Sequence, residues 1–66
     1  LGRTGEAESH FKAAITADPI PSEPYYNLAL IYSRTGRIED AKNFYQQALE
    51  RGAAPDPALE DKLSKP

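Results

Sequence analysis

The chain contains no cysteine, no methionine and no tryptophan, and His10 is its one histidine. Without thiols it can form neither a disulfide staple nor a thiolate metal site. One imidazole does not make a protein-only metal cage, and no cofactor is expected. No apolar run approaches the roughly 20 residues of a membrane-spanning helix, so membrane insertion is not expected. Charge of one sign is also missing: 8 Lys and Arg stand against 10 Asp and Glu, a net charge of −2. The cations are scattered rather than gathered into a stripe that could track a phosphate backbone, and nucleic acid is not an expected partner. No signal-peptide pattern is present, and a cytoplasmic setting is the expectation. The chain opens at Leu1 rather than Met, and is expected to be cut from something longer. Its 66 residues allow one small domain at most. A chain this short buries only about 60% of its unfolded surface, so its stability is marginal without help.

What the sequence does have is helical periodicity. Tyr25, Leu28, Ala29 and Tyr32 fall at i, i+3, i+4 and i+7, one stripe of a 3.6-residue helix. Ala41, Phe44, Tyr45 and Ala48 repeat that spacing. Between the two stretches lies a short turn centred on Gly36. Aromatic side chains on each stripe can face small alanines on the other, which predicts an antiparallel helix pair.

The chain also overlays itself when shifted by 34 positions. Gly2 falls on Gly36, Arg3 on Arg37, Ala7 on Ala41, Ala14 on Ala48 and Pro21 on Pro55. Glu6 meets Asp40, Phe11 meets Tyr45 and Ile15 meets Leu49. A period of 34 residues with small, aromatic and glycine positions in register is the mark of stacked helical hairpins.

Tyr25-x2-Leu28-Ala29-x2-Tyr32 followed by Ala41-x3-Tyr45 resembles the tetratricopeptide repeat signature. Tyr25 stands where the family often has Trp, and Ala29 where it often has Gly. Ala53 stands at the site of the closing Pro, with Pro55 two residues later. Ala7-x3-Phe11 with Pro19 matches the signature without exception. The resemblance covers residues 1–55 well and the tail poorly. It implies an all-α fold: antiparallel helix hairpins stacked as a fragment of a right-handed superhelix. Residues 1–21 are then the second half of one repeat, 22–55 a complete repeat, and 56–66 a capping or truncated helix.

Read in order, Leu1 and Gly2 belong to an inter-helix turn, and a first helix runs from Arg3 or Thr4 to Ala17. Glu8 and Lys12 form an i, i+4 pair on its wet face, and Asp18-Pro19 stops it. Ser22 is expected to be an N-cap, with Pro24 in the first turn of a second helix ending near Arg34. Gly36 supplies the positive φ of the turn. A third helix runs from Ile38 to about Arg51, closed by Gly52. Asp56-Pro57 starts a fourth, which Pro66 ends. Leu59 and Leu63 are expected to lie against Phe44 and Tyr45.

Candidate chemistry is sparse. Ser9-His10 lacks the spacing and the orienting third group of a nucleophile and its base. Glu39-Asp40 reads as a pair of first-turn acids favoured by the helix dipole. Gly2-Arg3-Thr4-Gly5 has no preceding strand to make it a phosphate loop. Arg3, Arg34 and Arg37 cluster weakly near the turns as a solvated rim. Tyr25, Tyr32, Tyr45 and Phe11 sit at core spacing. The chain is not expected to be an enzyme.

Tyr26 and Leu30 differ, lying i, i+4 off the stripe that faces the third helix. In the tetratricopeptide family this face of each repeat's first helix lines a concave groove that holds peptides. Carried over by alignment, the groove residues are Glu23, Tyr26, Asn27, Leu30, Ser33 and Arg34. The alternative is that Tyr26 and Leu30 pack on a neighbouring repeat. One subfamily grips a C-terminal carboxylate here with Lys and Asn. This sequence has Asn27, but Leu30 where a second Asn is needed and no Lys on the second helix, so carboxylate clamping is not expected. The resemblance implies a non-catalytic protein–protein interaction module that binds a peptide or partner segment on the concave face. A regulatory or substrate-docking arm of a larger enzyme, and a self-assembly scaffold, are the alternatives. The first helix lacks the front half of its repeat, so a homo-oligomer through exposed repeat edges is also expected.

Overall fold

The computed structural model describes residues 2–64, with side chains from Gly5 onward. It is built from four helices, α1 (Gly2–Ala17), α2 (Glu23–Arg34), α3 (Ile38–Glu50) and α4 (Pro57–Ser64), and no strand occurs among the described residues. The expectations for Leu1 in a turn, Pro66 as a helix stop and the Arg3 side chain fall outside the described residues. Gly2, expected in a turn, instead opens α1, a difference of one or two residues at a helix end.

Each helix end has a local cause. Asp18 closes α1: its N–H donates to the Ala14 carbonyl, and its side chain accepts the Ile20 N–H. Pro19 forbids continuation. Ser22 occupies the N-cap position of α2 but makes no side-chain cap bond. Its backbone is in the right-handed helical region rather than the extended one that aims a capping oxygen inward. Pro24 has also removed one of the amides it would have capped. Asp56 does cap α4, accepting the Leu59 N–H at 3.2 Å, with Pro57 as the first helical residue.

The ends of α2 and α3 are built alike. Gly36 and Gly52 adopt φ of 82° and 99°, the left-handed region that disfavours a side chain. Each lets the next amide reach back: Arg37 N–H to the Tyr32 carbonyl at 2.9 Å, and Ala53 N–H to the Ala48 carbonyl at 3.0 Å. This six-to-one closure is the Schellman motif, and it recurs in step with the glycines.

The α2 stripe is wholly buried, and on α3 Ala41, Tyr45 and Ala48 are buried with it. Alanines with no exposed surface let the two helices approach closely. Phe44 turns its ring toward α2, 6.2 Å from the Tyr25 ring and 5.5 Å from that of Tyr32. Phe44 also packs against the cluster that holds Tyr45, Leu59 and Leu63. Leu59 and Leu63 are buried in one cluster with Tyr45, Leu28 and Tyr32. Among the described residues α1 lies beside α2 alone. Its stripe of Ala7, Phe11, Ala14 and Ile15 stays half-buried, as a helix with one covered side must. The helices form a slab of 32 × 31 × 15 Å.

Candidate functional site

Three polar clasps set the relative positions of the helices. On α1, Glu8 accepts the Tyr32 hydroxyl at 2.9 Å and pairs with Lys12 at 3.0 Å and Arg37 at 3.4 Å. The Arg37 guanidinium also lies 4.3 Å from the Tyr32 ring centre, a cation–π distance. The hydrogen bonds from Lys12 and then Tyr32 hold the Glu8 carboxyl below its usual range.

At the opposite end of α2, Tyr25 donates its hydroxyl to the Pro19 carbonyl at 3.1 Å. Arg51 donates to that same carbonyl at 2.8 Å and sits 4.1 Å from the Tyr25 ring centre. One arginine past the end of α3 thereby ties down the link that follows α1.

The third clasp holds α4. Tyr26 donates to the Asp56 carboxylate, the Asp56 N–H donates to the Tyr45 hydroxyl at 2.9 Å, and Tyr45 donates to Glu60. The hydrogen bond from Tyr26, and then that from the Leu59 amide, lowers the Asp56 pKa. Its hydrogen bond to Asp56 raises that of Tyr26, and burial followed by the Glu60 bond raises that of Tyr45. Tyr26 near the start of α2 meets Asp56 at the start of α4, and Ser33 and Arg34 at the end of α2 bound one cleft with Leu59 and Lys62, so α4 runs alongside α2 in the same direction.

That seam contains two clefts. One, of about 440 Å³, is bounded by Glu23, Tyr26, Pro55 and Asp56. The other, of about 200 Å³, is bounded by Leu30, Ser33, Arg34, Asp56, Leu59 and Lys62. Five of the six residues carried over by alignment line one or the other: Glu23 and Tyr26 the first, Leu30, Ser33 and Arg34 the second. Asn27 is half-buried and lines neither. Ser33 is only 6% exposed and donates its hydroxyl to the Leu30 carbonyl at 2.8 Å. It therefore shapes the wall rather than offering a free donor. Tyr26 and Leu30 also pack against the core cluster, so the groove wall and the packing surface for α4 are one surface.

The family model described as tetratricopeptide repeat matches residues 1–65. The chain belongs to the tetratricopeptide repeat family. Neither the curated proteins nor the solved structures yield a match to it. Tetratricopeptide repeats generally mediate protein–protein interactions and are generally non-catalytic. Ser9 and His10 are exposed on α1, and the imidazole meets the edge of the Phe11 ring at 5.7 Å. No group of three or more His, Cys, Asp or Glu could hold a metal among the described residues. No described helix is long and apolar enough to cross a membrane. The tyrosine–carboxylate clasps and the Arg51 tie leave no mark in the sequence pattern. They join residues 11 to 32 positions apart, which no local period encodes.

Proposed function

We propose that this chain is a non-catalytic interaction module that holds a peptide or partner segment against α2, on the face formed by Glu23, Tyr26, Asn27, Leu30, Ser33 and Arg34. The observation that supports this is the pair of clefts along the α2–α4 seam, whose walls include five of these residues. An apolar floor between polar ends suits an extended segment anchored by one or two side chains. The test is selection of binding peptides from a random library, followed by mapping of backbone amide shifts. Perturbations along Tyr26, Leu30, Arg34 and α4, lost in Leu30→Glu, are the expected result. Perturbations confined to the outer face of α3 overturn it.

A second reading is self-association through α1. Ala41 has no exposed surface, whereas Ala7, its counterpart 34 residues earlier, is half-buried along with Phe11 and Ile15. A second copy covering that stripe would complete the packing. Sedimentation equilibrium should then show mass rising with concentration, and Phe11→Glu should abolish the rise. A monomer at all concentrations counts against it.

A further inference from the structure

The described cations are not equivalent. Lys12 and Arg37 share Glu8, Arg37 also pairs with Asp40 at 3.1 Å, and Lys42 pairs with Glu39 at 3.6 Å. Arg51 is committed to the Pro19 carbonyl and the Tyr25 ring. Among the described residues only Arg34 and Lys62 have no ion pair, carbonyl or ring partner, and both line the same cleft above Leu30 and Leu59. At the other end of α2 the sign reverses. Glu23 has no cation within ion-pair distance among the described residues, and it shares the first cleft with Asp56. Asp56 lines both clefts, and its carboxylate is already engaged by Tyr26 and the Leu59 amide. It adds to the negative end and repels an anion from the middle of the seam.

The seam is therefore bipolar: acidic at Glu23 and Asp56, apolar at Tyr26 and Leu30, basic at Arg34 and Lys62. We propose that it selects an extended peptide with a cationic residue at one end, an aliphatic or aromatic side chain in the middle and a carboxylate at the other end. This deepens, and rests on, the reading of the α2–α4 face as the binding surface. Helical rise sets the length: eleven steps from Glu23 to Arg34 span about 16 Å at 1.5 Å each, which about five residues of extended chain cover at roughly 3.3 Å each. Opposed end charges fix which end of the peptide lies over Arg34 and Lys62 and disfavour peptides with like charges at both ends.

The experiment presents the full chain with three pools of six-residue peptides. All share a varied apolar middle drawn from Leu, Ile, Val, Phe and Tyr. They differ only at the ends, which are Lys then Glu, Glu then Lys, or Gln at both. One charge order should bind about fivefold or more tighter than the Gln pool, a factor that matches about 1 kcal/mol of exposed ion pairing. That advantage should vanish at high salt. The variant Glu23→Lys with Arg34→Glu and Lys62→Glu, its helicity checked by circular dichroism, should prefer the opposite order. Equal binding of all three pools, lost in Leu30→Glu, overturns the charge selection and leaves the binding face standing. Failure of every pool overturns both.

Discussion

The hydroxyl of Tyr45 accepts the backbone N–H of Asp56 at 2.9 Å, so α3 provides the partner for the residue that caps α4. The same hydroxyl donates to Glu60 one turn later. Tyr45→Phe removes both bonds at once and leaves the ring in the core. Amide hydrogen exchange in α4 should accelerate while α2 and α3 keep their protection. Unchanged exchange at Leu59 and Leu63 would show that the two leucines hold α4 unaided.

The clasp also sets a pH window. Asp56 and Glu8 have lowered pKa values in the folded chain. Their stabilisation is present above the ordinary carboxylate range and is lost as pH falls through the folded values. Tyr26 and Tyr45 have raised values. Their contribution is complete below the ordinary phenol pKa of about 10 and is lost as pH rises through the folded values. Thermal melts across pH should show a plateau bounded by these two losses. Tyr26→Phe should flatten the alkaline limb, and an unaltered alkaline limb in the Tyr26→Phe, Tyr45→Phe double variant would refute the assignment.

Gly36 and Gly52 are two independent tests of backbone strain. A Cβ at either position would meet nothing within 4 Å, so the whole cost of alanine there comes from the left-handed φ. Gly36→Ala and Gly52→Ala should each destabilise by about 1–2 kcal/mol in chemical denaturation.

Ala7 and Ala41 occupy the same place in successive repeats and differ in cover. Ala41→Leu forces a larger side chain into a site with no exposed surface and should cost about 1–3 kcal/mol. Ala7→Leu meets a half-open helix face and should be tolerated. Equal costs would mean that α1 is covered in solution, which sedimentation would then show directly.

The stripes of α2 and α3 were legible because helical periodicity reports burial wherever a helix has one covered side. The glycine turns and the Asp56-Pro57 start were legible for a similar reason: cap chemistry is local. Ser22 is not legible in this way: two residues before Pro24 it carries a capping side chain on a helical rather than an extended backbone. Helical spacing does not separate Phe44, whose ring meets those of Tyr25 and Tyr32, from Tyr45, whose hydroxyl meets Asp56. The positions of Tyr26 and Leu30 came from the repeat alignment. The pairing of Arg34 with Lys62 across one cleft required knowing that α4 runs alongside α2.

The 15 Å dimension of the slab is about half of either of the other two. Water therefore reaches both broad surfaces, and no further hairpin could deepen the interior; it could only lengthen the row. Resistance to unfolding in such a body grows by adding neighbours, one contact plane at a time. A perturbation at one margin is felt chiefly by the next helix inward.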